Sequence, residues 1–195
     1  MDEKQLIRRL KRRDERAFTA LVVQHQGQIY NLCFRMLGNA AEAEDVAQDT
    51  FVKAFKAIDR FRGDSQIGTW LYRIAINLCK NRLKYLGRRG RGRTQDVADV
   101  PEQAWGERPP TVGDALPRPD RVLEGRQAER RIQAALDALD PEFRELLVLR
   151  DVQSLSYAEM VHITGLAEGT VKSRLHRARN ALRRAYEALG GELSE

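Results

Sequence analysis

What this chain lacks limits it first. Nowhere do its 195 residues show an alternating apolar pattern long enough for a useful β-strand, and no internal repeat appears. It has two cysteines, Cys33 and Cys79, each alone among helical apolar residues, so the expectation is a pair of reduced core thiols rather than a disulfide framework or a zinc knuckle. Its three histidines, His25, His162 and His176, are scattered. Cys-x-x-Cys, His-Glu-x-x-His, the Walker lysine loop and Gly-x-Ser-x-Gly are all absent. The sequence therefore offers no catalytic constellation, no metal site and no cofactor site. No stretch approaches the ~18 uninterrupted apolar residues of a membrane span. The opening MDEKQLIRRLKRRDER lacks the apolar run of a signal peptide. The chain is expected to stay in the cytoplasm, with no membrane insertion.

What is present is helical patterning and charge. Hydrophobic residues make up 42% and charged residues 32%, with a net charge of +6, which favours an acidic partner such as nucleic acid. Residues 3–13 form a short basic helix with Leu6, Ile7 and Leu10 on one side. Asp14 caps a longer helix whose stripe is Phe18, Leu21, Val22, Ile29, Leu32, Cys33 and Met36, ended by Gly38-Asn39. His25 falls on that stripe as a core or boundary histidine. A second long helix, from about Ala41 to Phe61, buries Val46, Ala47, Phe51, Ala54, Phe55 and Ile58. Its other side carries Glu42, Asp45, Gln48, Asp49, Val52 and Lys53, an acidic start that either complements the helix dipole or forms a contact surface.

A loop, Phe61-Arg62-Gly63-Asp64-Ser65-Gln66-Ile67-Gly68, leads to a helix expected from Thr69 to about Leu86. Leu71, Ile74, Ala75 and Leu78 suit its core side. Trp70, Arg73, Asn77, Lys80, Asn81 and Lys84 recur on a second face. Rings and guanidinium planes stack on unpaired bases, amides bond base edges and lysines neutralise phosphate, so this mixture suits single-stranded nucleic acid. It equally describes an ordinary polar face with Trp70 tucked inward.

Residues 87–120 carry RRGRGR, five prolines and few aliphatics, and read as an extended linker between domains at 1–86 and 121–195. Beyond it, Val122, Ala128, Ile132, Ala135, Leu136 and Leu139 form one stripe. Asp140-Pro141 restarts a helix filled by Phe143, Leu146, Leu147 and Val148. Ser156 and Glu159 make a capping box, with Leu155 and Met160 as a hydrophobic staple. A turn at Gly165 then leads to a helix with no acid from Lys172 to Arg184. Its apolar positions Val171, Leu175, Ala178 and Leu182 leave the cations on another face, as in a helix-turn-helix entering a major groove. A solvated basic helix is the plainer alternative.

Five strings carry a family resemblance: Glu44-Asp-Val-Ala-Gln-Asp-Thr-Phe51, Phe61-Arg-Gly-Asp-Ser65, Thr69-Trp-Leu-Tyr-Arg-Ile-Ala-Ile-Asn77, Leu155-Ser-Tyr-Ala-Glu159 and Gly169-Thr-Val-Lys-Ser-Arg-Leu-His-Arg-Ala-Arg179. In order and spacing the chain resembles a group IV, extracytoplasmic-function sigma factor of the sigma-E-like subgroup. The resemblance implies an all-α, two-domain, non-enzymatic subunit that directs core RNA polymerase to promoters, aids melting and is held in check by an anti-sigma factor. Asp45, Gln48, Asp49, Val52 and Lys53 would meet the clamp helices of the largest catalytic subunit, and the flap of the other large subunit would be a further contact. Arg62, Gly63, Asp64, Ser65, Thr69, Trp70, Arg73, Asn77, Lys80 and Asn81 would hold unpaired minus-ten bases. Ser156, Tyr157, Glu168, Thr170, Lys172, Ser173, Arg174, Arg177 and Arg179 would face the minus-thirty-five duplex. Two departures stand out. Gln66-Ile67-Gly68 replaces a more aromatic stretch of many relatives, and Leu166-Ala167-Glu168 lacks a proline often found near Ala167.

Overall fold

A computed structural model describes residues 2–89 and 119–191, with side chains for 2–88 and 127–191. Most of the expected linker, Trp105 included, lies outside the described residues, as does the side chain of Val122. Among the described residues every regular element is helical: α1 Glu3–Lys11, α2 Glu15–Leu37, α3 Ala40–Ala57, α4 Ile67–Arg89, α5 Pro119–Asp137, α6 Pro141–Leu147, α7 Tyr157–Thr164 and α8 Glu168–Ala188.

Local chemistry sets most helix ends. Asp14 accepts from the Ala17 amide at 3.1 Å and starts α2. The turn before it holds Arg13 at φ 61°, and the Arg13 guanidinium lies 4.9 Å from the Phe55 ring centroid and 2.5 Å from Asp59. Gly38, at φ 69°, closes α2 in the left-handed conformation, its amide bonding Phe34 O at 2.8 Å. A Cβ there would also crowd the Asp137 carboxylate, which would have to move aside. Asn39 belongs to the next helix rather than to the end of α2, because its side chain accepts from the Glu42 amide and caps α3.

Two helix limits differ from expectation. α3 ends at Ala57, and a tighter turn, Ile58–Arg60, drops Ile58 and Phe61 into the core. α4 begins at Ile67 rather than Thr69, because the Glu3 carboxylate accepts from the Ile67 amide at 2.6 Å, a cap supplied by a helix distant in sequence.

α2, α3 and α4 pack on one another. α5, α6 and α8 form a second group, and α7 bridges from α8 to α4. One continuous apolar core joins the two groups. Cys33 of α2 and Cys79 of α4 are both free and fully buried, and the neighbouring Cys79, reinforced by burial, pushes the Cys33 thiol well up. α6 runs into a π-helical turn, Val148–Val152, and every residue from Arg144 to Leu149 is buried.

Several burial expectations fail for one reason: a face is decided by what packs on it. Phe55 is 42% exposed, with Arg13 over its ring and an edge contact with Phe18 at 4.5 Å. Ile132 is 38% exposed while its neighbour Gln133 is buried, bonded to Arg35 of α2 and to Asp137. Phe34, Leu37, Tyr72 and Ile76 are buried although off the expected stripes, because the second helix group covers those sides of α2 and α4.

Candidate nucleic-acid interface

The head of α4 and the loop before it enclose a cavity of about 210 Å³. Its walls include Arg62, Asp64, Ser65, Thr69, Trp70 and Arg73 from the expected set, together with Arg60, Phe61, His162 and Ile163. Trp70 is half-buried, its ring tilted 46° against Phe61 with centroids 5.1 Å apart. The local cause is the early start of α4: the first turn carries Thr69 and Trp70 inward while Arg73, one turn on, stays exposed. Gly63 holds φ 80° in the loop, and Arg62 pairs with Asp64 at 3.2 Å. A cavity walled by an indole, guanidinium groups and a hydroxyl has the chemistry to stack and hydrogen-bond an unpaired base.

Farther along α4, Asn77 and Asn81 are exposed. Thr69 and Lys80 are not free. Thr69 is 3% exposed and donates its hydroxyl to Glu159 at 3.1 Å, and Lys80 pairs with Glu145 at 2.6 Å. Periodicity places both residues on the face and gives no sign of these distant carboxylates.

On α3, Asp45, Gln48, Asp49, Val52 and Lys53 are all exposed along one side. Val52 and Phe55 leave apolar surface beside the acids. Arg82 of α4, missed in the sequence, bonds Glu42 and reaches Asp45 at 3.4 Å, so the start of this acidic strip is partly neutralised and Asp49 lies beyond that pair.

The second surface is the α7–α8 pair. Ser156 and Glu159 complete their capping box, with the Glu159 amide on Ser156 Oγ and the Ser156 amide on the carboxylate at 2.8 Å. The Ser156 hydroxyl also donates to that carboxylate at 2.7 Å, and this bond, with the one from the Ser156 amide, holds the Glu159 carboxyl below its ordinary range. Gly165 makes the turn at φ 73°. Val171, Leu175 and Ala178 are buried, leaving Lys172, Ser173, Arg177 and Arg179 exposed and Thr170 and Arg174 half-exposed. Three of the cations are already paired: Lys172 with Glu168 at 2.6 Å, Arg174 with Glu142 at 2.7 Å and Arg179 with Asp151 at 2.5 Å. Tyr157 sits between the cations, 4.9 Å from Arg150 and 5.1 Å from Lys172.

The fold is all-helical among the described residues, with two surfaces whose chemistry suits nucleic acid. Residues 21–89 match the family model for Sigma-70 region 2, and residues 129–182 match that for Sigma-70, region 4. The RNA polymerase sigma-H factor of Pseudomonas aeruginosa is 37% identical over 187 residues, 96% of this chain and 95% of that protein. The ECF RNA polymerase sigma-E factor of Escherichia coli is 33% identical over 177 residues, 91% and 90% of the two chains. Among solved structures, CnrH in complex with the cytosolic domain of CnrY has a TM-score of 0.66 at 26% identity, covering 95% of this chain and 97% of that one. The chain belongs to the ECF, or extracytoplasmic-function, RNA polymerase sigma factors. It is an initiation factor that directs RNA polymerase to promoters.

Proposed function

We propose that the N-terminal helices, through α4, bind core polymerase and capture melted minus-ten bases, while the helices from α5 onward read the minus-thirty-five duplex. The cavity at Phe61, Trp70 and Arg73 carries the reading, because it joins a stacking ring to a cation at the start of a polar helix face. The chain supplies no catalysis of its own, since polymerase performs the chemistry. Among the described residues no helix is long and apolar enough to cross a membrane. An anti-sigma factor keeps the chain from polymerase in this reading. Co-purification from its own cells should recover an inhibitor that blocks polymerase binding. Transcription with purified core polymerase on a promoter library tests the whole reading, and initiation that never depends on this chain would end it.

Asp45, Gln48, Asp49, Val52 and Lys53 face the clamp helices of the largest catalytic subunit in this reading, with the flap of the other large subunit as a second contact. Asp49→Lys is expected to weaken core binding about ten- to a hundredfold, because it reverses charge at an exposed position outside the Arg82 pair. Titration of labelled core polymerase with the variant measures it.

On α8, Thr170, Lys172, Ser173, Arg174, Arg177 and Arg179 approach the major groove, with Ser156 and Tyr157 at the head of α7 and Glu168 at the head of α8. Ala167 caps α8 without a side-chain bond, so the first amides remain available to a phosphate. Arg174→Ala is expected to reduce minus-thirty-five selectivity by about 1–3 kcal/mol if its guanidinium meets a base edge. A competition series over substituted minus-thirty-five duplexes reads this directly. A uniform loss on every duplex, with a shallower salt slope, would place Arg174 on phosphate instead.

A further inference from the structure

α1 lies before the residues that match the Sigma-70 region 2 model, and neither DNA surface described above uses it. Leu6 and Leu10, both buried, seat it on the fold, and its two ends reach different helices. Just past its C-terminal end, the Arg13 guanidinium donates to the Phe55 carbonyl in the last turn of α3, pairs with Asp59 at 2.5 Å and lies over the Phe55 ring. At its N-terminal end the Glu3 carboxylate accepts from the Ile67 amide at the start of α4 at 2.6 Å. Each charge suits the helix end it serves. A cation meets a carbonyl where α3 runs out of amides, and a carboxylate meets an amide where α4 has no preceding carbonyl. The chain between these two anchors is the loop that gives Arg60, Phe61, Arg62, Asp64 and Ser65 to the Trp70 cavity.

We infer that α1 is a brace for base capture: Arg13 and Glu3 are positioning residues that fix the two ends of this loop and so set the cavity before a base arrives. The inference rests on the base-capture reading of α4 and deepens it. Between the buried Phe61 and Ile67 the loop is mostly exposed. Its Arg62–Asp64 pair is a surface ion pair, which restrains little. Gly63, at φ 80°, adds no side chain to hold it. Restraint has to come from the loop's ends, and α1 reaches both. α2 supports the second end, since a Cβ on Gly68 would lie 3.3 Å from the His25 ring, so the first turn of α4 rests close on α2. Arg13 itself holds φ 61°, a conformation side chains rarely adopt, in a turn closed by its amide on the Leu10 carbonyl at 2.9 Å. That turn aims the guanidinium at the end of α3.

The test uses the full chain with saturating core polymerase. Glu3→Ala and Arg13→Gly each remove one anchor, and glycine adopts φ 61° freely, so the turn before α2 survives. Each is expected to slow open-complex formation about five- to tenfold, because the competent loop geometry becomes a smaller fraction of the population. Closed-complex affinity stays at the parent's value. Glu3→Gln keeps a carbonyl oxygen for the Ile67 amide and recovers most of the rate. Adding Glu3→Ala to Trp70→Ala slows opening little further, since both act through one ring. Asn39→Ala deletes a cap of the same kind from α3, lowers the unfolding temperature and leaves the opening rate alone, which separates positioning from stability. Hydrogen exchange of the free chain reads the brace directly: amides across residues 59–70 exchange faster in Glu3→Ala and in Arg13→Gly. Should Arg13→Gly not fold, the two Glu3 variants carry the same expectations. Unchanged exchange overturns the brace. Faster exchange with a parental opening rate, while Trp70→Ala opens slowly, overturns the positioning role alone. A parental rate in Trp70→Ala as well removes the base-capture reading, and the positioning role with it, whatever the exchange shows.

Discussion

Trp70→Ala holoenzyme is expected to form open complexes about one to two orders of magnitude more slowly than the parent, with a closed-complex affinity changed by less than about threefold. The magnitude follows from base–aromatic stacking, worth roughly 1–3 kcal/mol per base and gained only when a base has left the duplex. Trp70 is positioned for that step: half-buried, braced against Phe61 at 5.1 Å and opening onto the cavity beside Arg73. Bracing fixes the indole before the base arrives, which lowers the ordering cost of capture. The same packing gives Trp70 a structural share, so the prediction needs a second arm. Trp70→Phe keeps an aromatic face and should recover most of the opening rate. If the residue served only the core, both variants would lower the unfolding temperature, and closed and open complexes would be lost together. Permanganate footprinting of unpaired thymines, set beside filter binding at low temperature, separates the two steps.

Much of the scaffold around that ring was legible in the sequence because its signals are local. Asp14, the Ser156–Glu159 box, Asp140 before Pro141 and the glycines at 38 and 165 act within a few residues, and each does in the structure what its spacing implies. Faces were less legible. Apolar periodicity marks a side that needs cover, but the partner's position decides which side receives it. Phe55 and Ile132 fit their stripes and are exposed; Tyr72 and Ile76 do not, and the second helix group buries them. The site divides in the same way. The exposure of Asp49, Asn77 and Arg177 could be read from helix phase. The capture of Thr69 by Glu159 and of Lys80 by Glu145 could not, because those partners lie across the linker. Arg82 escaped notice for a related reason: it modifies the acidic strip of α3 from a neighbouring helix.

Arg144→Ala is expected to have the largest effect on stability, a loss of about 3–5 kcal/mol. Arg144 is 5% exposed. One guanidinium nitrogen donates to the Met36 carbonyl at 2.6 Å and lies 3.0 Å from an Asp137 carboxylate oxygen; the other donates to the Asp137 carbonyl at 2.7 Å. The side chain thus joins the last turn of α2 to the end of α5 and the start of α6. Burial lowers its pKa, and the nearby Asp137 charge opposes that shift. Alanine would leave two carbonyls without their donor and a partly exposed carboxylate without its cation, against a net domain stability of only about 5–15 kcal/mol. Asp137 also supplies a sign. Burial already raises its carboxyl above the ordinary value, opposed by Arg144 and Gln133. Without the guanidinium the shift must grow. A carboxyl whose pKa is raised by folding contributes stability that is present at low pH and lost as pH rises through the folded value. The deficit of Arg144→Ala relative to the parent should therefore be larger at neutral pH and shrink on acidification toward the raised Asp137 range. Urea midpoints for parent and variant across that range measure it. Arg144→Met with Asp137→Asn removes both charges and should recover a large part of the loss, because the cost lies chiefly in stranding one partner. A double variant no more stable than Arg144→Ala would mean that the carbonyl of Met36, rather than the charge of Asp137, is what the guanidinium serves.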